Sequence, residues 1–426
     1  MNKTRRSLLQ AIAAGSATTF AGPWAVNHVW AQSAQKKPLV VGLTMDASGQ
    51  YGASGASERL GAMMAIKEFN EKGGVLGRPI EALHMDTETT PATGSRVAER
   101  MITRNECAFL VGALHSGVAN AISQVAQKYG CIFLNTNSSS PTEAGKDCHR
   151  TKFVWDGNGT NFAHAIVKNA MKVSGKNWVL LTNDYVWGHS TSKATRALVE
   201  ANGGKIMEEL MVPQNTRDFS AYLIKLQQLK PQVVATAVGG DDIKALRKQV
   251  TQLKLNKSFA WINNQQDWPD VYGLGPEEIF GVFGTNWYYR LDLPGVKEFV
   301  AKYQKAYPGV QIKVPGNVYY NGYMATRELL RAVERAGSTN NIKVIKELEN
   351  LKVSAHDRMQ HFDGYMNPVT HQMQQTIYMA TYNETPAEKD DIFRILASAT
   401  PQEAEDKDAP GACKLESYEA TPTYEV

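Results

Sequence analysis

His115 and Ser116 are the first residues of this sequence that could do chemistry. They end the apolar run of FLVGALHSGVANAI, Phe109–Ile122, and a helix-like pattern begins directly after them. Two interpretations fit a histidine and a serine at the start of a helix. The pair could be a nucleophile with its general base. It could equally be part of a cradle that holds a ligand without any reaction.

The motifs that would support an enzyme are missing from the sequence. No Gly-x-Ser-x-Gly turn surrounds a serine, and neither a P-loop nor a complete dinucleotide-binding glycine pattern occurs. His356, His361 and His371 lie close together, but their spacing matches no common zinc motif. We therefore expect a binding protein with no cofactor and no metal. A hydrolase built on His115 and Ser116 is the alternative from the enzyme class.

Small polar residues recur where two neighbouring strands are predicted to end. GALHSG contributes His115 and Ser116, and FLNTNSSSP contributes Asn135, Thr136, Asn137, Ser138, Ser139 and Ser140. Ligands of open parallel sheets bind beyond the carboxyl ends of the strands, and helix N-termini present N–H groups to anions. Simple helix capping would explain one such serine. Two adjacent strands that end this way favour a cradle for a small carboxylate.

The second half of the chain offers complementary groups at its own strand ends. They are Asp184, Tyr185, Trp187, Asp241, Asp242, Asn264, Gln265 and Asp267, and Tyr51 of the Gly-rich SGQYGASG joins them from the first half. Aromatic rings provide large apolar contacts, and carboxylates could hold an ammonium group. Taken singly, Asp184 and Asp241 are explained as well by loop capping.

Alternating apolar runs and helical patterns predict the frame that positions these residues. LVVGLTMD, PIEALHMD, AFLVGAL and CIFLNTN read as strands, and a second series follows with WVLLTND, GKIMEELMV, QVVATAV and FAWINN. The segments between these strands have apolar residues at helical spacing, such as Leu60, Met63, Met64 and Phe69. Such alternation predicts an α/β fold of parallel sheets flanked by helices. Two series predict two lobes.

Crossing strands in FVWDGN and GVFGTNWYY set the predicted division of the chain. We assign residues 39–155 plus 283–361 to an N-terminal lobe and residues 156–282 plus 362–394 to a C-terminal lobe. Residues 395–426 are polar and contain proline, and we expect an irregular tail.

The first residues predict export. TRRSLLQ carries paired arginines before a short apolar stretch, as a twin-arginine signal does. VWAQ then has the small-residue spacing of a cleavage site, so residues 1–31 are a predicted signal peptide. Removing its three basic residues from the total of 46 leaves 43 basic against 42 acidic residues. This balance argues against nucleic acid as a partner.

Cysteine spacing leaves several pairings open. Cys107, Cys131, Cys148 and Cys413 form no Cys-x-x-Cys pair, and export to an oxidising compartment favours disulfides. Four cysteines allow three pairings. Cys107 and Cys131 start neighbouring predicted strands, so we place Cys107–Cys131 first, which leaves Cys148 for Cys413. Four buried free thiols are the alternative.

Three stretches of the sequence resemble a known family. AIKEFNEKGGVLGRPIEALHMDTETTP, FLVGALHSGVANAI and FLNTNSSSP are similar to the periplasmic leucine/isoleucine/valine-binding proteins, the type I solute-binding proteins of ABC importers. The resemblance covers roughly residues 38–382. It implies two α/β lobes joined by three crossovers, a periplasmic location, and delivery of a clamped ligand to an ABC permease of the inner membrane. We expect a monomer.

The resemblance also implies roles for single residues. Tyr51 falls where the family has a tyrosine that contacts the ligand. Ser116 matches the serine-rich loop that binds the ligand carboxylate, and Asn137, Ser138 and Ser139 match a second stretch with the same role. Trp187 falls where family members have a tyrosine. The sequence departs from the family at Asp241, where amino-acid binders often have an aromatic residue. It departs again at residues 264–266, among them Gln265, which fall near the acidic residue that holds the ligand ammonium group in the family. His115 is bulkier than the residue expected at its position.

These departures keep the ligand class broad. We expect a small carboxylate, either a branched-chain or other hydrophobic amino acid or an aromatic or organic acid. A ligand sensor of the same fold is the second hypothesis, and the hydrolase is the third.

Overall fold

A five-stranded parallel sheet forms the first part of the fold in the computed structural model, which describes residues 36–426. The strand order is β2-β1-β3-β4-β5. The strands are β1 Leu39–Leu43, β2 Ile80–His84, β3 Phe109–Val111, β4 Ile132–Asn135 and β5 Lys152–Val154. The signal peptide predicted for residues 1–31 lies outside the described residues.

A seven-stranded sheet forms the second part, in the order β15-β14-β10-β9-β8-β6-β7. Its strands are β6 Asn177–Asn183, β7 Lys205–Val212, β8 Val233–Ala237, β9 Ala260–Asn263, β10 Val282–Thr285, β14 Ile377–Tyr382 and β15 Phe393–Ala399. β6 to β10 pair in parallel, whereas β14 pairs antiparallel with both of its neighbours, β10 and β15. A small antiparallel sheet consists of β11 Lys352–Val353, β12 Gly364–Met366 and β13 Met373–Gln374. The predicted α/β fold class is confirmed.

Helices connect and cover the strands. The α-helices are α1 Gly52–Glu71, α2 Pro91–Thr103, α3 Ser116–Tyr129, α4 Gly159–Ser174, α5 Val186–Ala201, α6 Ser220–Leu229, α7 Gly240–Gln252, α8 Trp268–Val271, α9 Val296–Ala306, α10 Asn317–Ala336, α11 Asn341–Glu349, α12 Ala355–Arg358, α13 Pro401–Ala404 and α14 Ala409–Ala412. Short 3₁₀ turns lie at Pro141–Ala144, Leu255–Lys257 and Pro276–Glu278. None of the helices in residues 36–426 is long and apolar enough to cross a membrane.

Local sequence explains where the helices nearest the strand ends begin. His115 caps α3, because its Nδ1 accepts a hydrogen bond from the Val118 N–H at 3.3 Å. α3 ends at Gly130, whose φ of 77° is the left-handed conformation that glycine favours. At the start of α5, a Cβ on Gly188 would lie 1.9 Å from the Asn183 carbonyl oxygen. The tight turn from β6 into α5 therefore requires glycine.

The chain passes between the two sheets after β5, after β10 and again between β13 and β14. Buried amides tie these passages together. Asn286 Nδ2 donates to Asp156 Oδ1 at 2.8 Å, and Gln375 Nε2 donates to the Trp155 carbonyl at 2.7 Å. The passages therefore lie side by side, as the pivots of a hinge do.

Three details of the predicted division differ from the strand assignments. β12 and β13, which we assigned to the C-terminal lobe, pair with β11 in the small sheet and precede the third passage. Phe283, which we assigned to the N-terminal lobe, lies in β10 of the seven-stranded sheet. Residues 395–399, which we assigned to an irregular tail, complete β15, and α13 and α14 follow. Sequence patterning missed this edge strand because its residues are only partly buried. The division into two lobes itself stays a prediction.

The disulfide predictions are half right. Cys148 and Cys413 are bonded, as predicted, whereas the Cys107–Cys131 pairing is wrong, since both thiols are free and buried. Their strands do pair in parallel, but Phe109 faces Ile132 in the register. Cys131 therefore lies opposite Ala108, one residue out of step with Cys107.

Candidate ligand-binding site

The carboxyl ends of strands from both sheets converge on one cleft. Residues 114–116 follow β3 and 136–140 follow β4, whereas 184–187 follow β6 and 264–267 follow β9. Between them is a cavity of about 20 Å³, which is room for one water molecule. Its lining consists of Tyr51, Leu114, Asn137, Ser139, Tyr185, Trp187, Gly239, Gln265, Asp267 and Asp270.

A larger depression of about 670 Å³ lies elsewhere, along α2 beside Arg96 and Arg100. None of the candidate residues at the strand ends lines it. We place the site at the strand ends because parallel sheets bind ligands there.

Hydrogen bonds join the two sides of the cleft directly. The Tyr51 and Tyr185 hydroxyl oxygens are 2.7 Å apart. Ser139 Oγ donates to Gln265 Oε1 at 2.6 Å. In each pair, one residue belongs to the five-stranded side and the other to the seven-stranded side. The cleft is therefore closed in this structure, and a ligand larger than water requires it to open.

His115 and Ser116 also reach across the cleft. The His115 ring stacks on Tyr185, with ring centroids 4.5 Å apart, and Nε2 lies 2.7 Å from the Gln214 side-chain amide. Ser116 Oγ accepts a hydrogen bond from the Trp187 N–H at 3.0 Å. Burial lowers the pKa of His115 to about 4, so its ring is neutral at neutral pH. The two side chains bond to other partners, which is not the arrangement of a nucleophile with its base.

Buried carboxyl groups dominate the electrostatics of the cavity. Asp267 Oδ1 accepts from Asn317 Nδ2 at 2.7 Å, and Asp270 Oδ2 accepts from the Gly240 N–H at 2.8 Å. Burial, followed by the neighbouring charge of Asp270, raises the pKa of Asp267 from 3.8 to about 7. Burial also raises the pKa of Asp270. None of the lining residues is Lys or Arg, so the cavity favours a cationic group.

A sequence model of the family described as periplasmic binding protein matches residues 38–389. This chain belongs to the periplasmic binding protein family. The match includes every strand except β15 and every residue of the cavity lining, so the family resemblance expected from the sequence is confirmed.

Relatives and solved structures agree with this membership. The chain is 24% identical over 314 residues to the Leu/Ile/Val-binding protein BraC3 of Rhizobium johnstonii, covering 72% of this chain and 82% of that protein. A periplasmic binding protein from Burkholderia mallei superposes with a TM-score of 0.80 at 25% identity, covering 87% and 97%. A solute-binding protein of an ABC transporter from Rhodopseudomonas palustris, in complex with 3,4-dihydroxybenzoic acid, gives 0.76 at 20% identity, covering 86% and 98%.

The structure brings most of the candidate residues of this family member together. Tyr51, Asn137, Ser139, Trp187 and Gln265 line the cavity, and the bonds described above place His115 and Ser116 beside it. The prediction that all of them contact a ligand stays a prediction.

Three candidates point away from the cavity. Ser138 Oγ donates to the buried Glu143 carboxylate. Asp184 is 56% exposed and pairs with His189 at 2.8 Å. Asp241 pairs with Arg217 and Lys244 on the surface of α7. Each of these side chains has a local partner that explains its presence.

Sequence reasoning missed Asp270, Leu114 and Gln214. Asp270 lies three residues after Asp267, and the short helix α8 turns both carboxyl groups into the cavity. That spacing was the available signal for Asp270. Leu114 and Gln214 carried none, because an apolar residue before a loop and a polar residue within one are common everywhere.

Proposed function

We propose that this periplasmic binding protein is the solute-receptor of an ABC importer and that its ligand is an amino acid. The observation that carries the proposal is the pair of buried carboxyl groups, Asp267 and Asp270, in a lining without Lys or Arg. A protonated amine between them compensates charges that burial otherwise disfavours. The receptor then delivers the amino acid to a permease in the inner membrane.

The opposite wall supplies groups for the ligand carboxylate. Ser116 begins α3, where helix N–H groups favour an anion, and the Ser139 hydroxyl lies across from Gln265. Trp187, Tyr51 and Leu114 provide the apolar surface for the ligand side chain. One zwitterion can therefore satisfy both sides of the cleft when the lobes close around it.

Both ligand classes expected from the sequence occur among the similar proteins. The Rhizobium relative is named for leucine, isoleucine and valine, and the Rhodopseudomonas structure contains 3,4-dihydroxybenzoic acid. A benzoate has no amine, so it would place no cation against Asp267 and Asp270 inside the cavity. This difference favours an amino acid for the present chain.

Calorimetry with a panel of ligands tests the proposal. We expect one or more hydrophobic amino acids to bind, whereas the 2-hydroxy acid with the same side chain, which lacks the amine, binds at least about tenfold more weakly. Binding of benzoates with no response to any amino acid would overturn the assignment.

We also propose that the protein performs no catalysis and acts as a monomer. The neutral His115 bonds to Val118 and Gln214 in place of Ser116, which supports binding over hydrolysis. Turnover of ester or amide substrates that is lost in Ser116→Ala would contradict this. Light scattering of the purified protein tests the monomer.

Export by the twin-arginine route is part of the proposal. The paired Arg5 and Arg6 support it. Replacing both by Lys should abolish export of the protein, and unchanged export would assign the chain to another route. A sensor of the same fold is distinguished by genetics, since deletion of a transport receptor abolishes uptake of its ligand.

A further inference from the structure

We propose that residues 400–426 form a strap, a fourth connection between the two sheets that limits how far the cleft opens. The inference rests on the lobe movement of the proposed function but not on the identity of the ligand. The strap begins where β15, the edge strand of the seven-stranded sheet, ends. It finishes on the five-stranded side.

The first anchor of the strap is on the seven-stranded side. Asn161 Nδ2 and His164 Nδ1 of α4 lie 2.8 and 3.3 Å from the Ala404 carbonyl oxygen. Ala404 is buried in the same apolar cluster as Phe162 and Ile166 of that helix. The strap is therefore held to α4 before it leaves this sheet.

The second anchor is on the five-stranded side and is covalent. Cys413 is bonded to Cys148, which precedes β5. The Glu416 carboxylate accepts a hydrogen bond from the Arg150 N–H at 2.8 Å. The Tyr418 ring is flanked by the Arg150 guanidinium at 4.5 Å and by the Lys346 ammonium at 5.0 Å. This half of the strap cannot follow the other sheet when the cleft opens.

Hydrogen bonds hold the last residues of the strap to the five-stranded side as well. Tyr424 Oη donates to the Cys107 carbonyl at 2.8 Å, and its own carbonyl accepts from the Asn341 N–H at 2.9 Å. Arg78 Nη1 donates to the Val426 carbonyl at 2.7 Å. The last residues thus lie along the amino ends of the five-stranded sheet, away from the cleft.

Only residues 405–412 span the two anchors. Lys407 and Asp408 within this span are exposed. α14 packs against the turn Pro141–Ala144, which lies just after the candidate ligand residues 137–139. Because both ends of the span are held, the separation of its anchors is bounded by the length of a short chain. Opening the cleft must therefore extend this span.

An insertion that lengthens the span tests the strap without removing its contacts. About six Gly and Ser residues between Lys407 and Asp408 add roughly 20 Å of reach. The same insertion after Asn202, in the exposed turn between α5 and β7 of a single sheet, is the matched control. Spin labels on Met63→Cys of α1 and Val173→Cys of α4 report the lobe separation, since these side chains are 44% and 85% exposed.

Pulsed EPR distances in the ligand-free protein decide the proposal. We expect the strap insertion to give a longer mean distance and a broader distribution than the parent, and the control insertion to match the parent. Double replacement of Cys148 and Cys413 by Ser should shift the distribution in the same direction. Identical distributions in the parent and the strap insertion would overturn the strap. If amino acids shorten the distance in none of the variants, the ligand proposal fails. The comparison of the ligand-free parent with the strap insertion is still valid in that case.

Discussion

Asp267→Asn separates the charge of the cavity from its shape. Asp267 Oδ1 accepts hydrogen bonds from Asn317 Nδ2 and Gln265 Nε2 at 2.7 and 3.2 Å. An asparagine keeps this oxygen and turns its amide nitrogen towards the cavity. The variant therefore removes the negative charge and leaves the packing of α8 unchanged.

The loss of charge should weaken ligand binding. A hydrogen bond to a charged group contributes about 1.5–3 kcal/mol, and each 1.4 kcal/mol is about tenfold in affinity. We expect the dissociation constant of the cognate amino acid to rise by roughly 10- to 150-fold. The 2-hydroxy acid analogue, which has no amine, should be almost unaffected.

The same substitution should stabilise the ligand-free protein. Burial raises the pKa of Asp267 from 3.8 to about 7 in the folded state, so above pH 7 the fold carries the full cost of the buried charge. About 1.4 kcal/mol per pKa unit gives a gain of at most about 4 kcal/mol for the neutral asparagine. The gain should shrink as the pH falls from 7 towards 4, because Asp267 is then protonated in the folded state.

Calorimetry and thermal unfolding at pH 8 measure the two effects together. Asp184→Asn is the control, since this exposed carboxylate pairs with His189 outside the cavity. We expect weaker binding with a higher melting temperature for Asp267→Asn and no change for the control. Unchanged affinity for the amino acid would refute the ammonium site, whatever happens to stability.

Three further predictions concern the cradle, the imidazole and the disulfide. Ser116→Ala combined with Ser139→Ala should weaken binding by two orders of magnitude or more, since each hydroxyl contributes about 1.5–3 kcal/mol. The melting temperature should stay near that of the parent. Unchanged affinity would show that the ligand carboxylate binds elsewhere. His115 is neutral in the closed cleft, with a pKa of about 4, so its protonation should lower the affinity as the pH drops from 6.5 towards 4. His115→Gln should reduce that fall in a fluorescence titration, and the part that remains comes from the protonation of Asp267. Cys413→Ser should lower the free energy of unfolding by about 2–4 kcal/mol in urea, and a parent that loses no stability on reduction would contradict this.

Strands of this fold were predictable because parallel strands covered on both faces are continuously apolar. LVVGL of β1 is an example, with four of its five residues buried. α1 was harder, since Met63 was predicted on its apolar face and is 44% exposed. α1 instead approaches α10 through Gly61, where a Cβ would lie 2.1 Å from the Tyr319 carbonyl oxygen. Glycine contacts leave no hydrophobic pattern to read.

Candidate site residues were predictable by position but not by direction. Asp184 and Tyr185 are adjacent at the end of β6, yet only Tyr185 faces the cavity. Ser138 and Ser139 diverge in the same way, towards Glu143 and Gln265. The backbone of each turn decides which side chain points inward, and that geometry depends on packing between distant segments.

A crystal structure of the protein with the ligand that co-purifies from its own periplasm is the most direct test of amino-acid binding. Native mass spectrometry of the same sample identifies the ligand. We expect an amino acid whose nitrogen lies within about 2.7–3.2 Å of an Asp267 or Asp270 carboxylate oxygen and whose carboxylate faces Ser116 and Ser139. An aromatic acid, or an amino acid bound in the reverse orientation, would contradict the central claim.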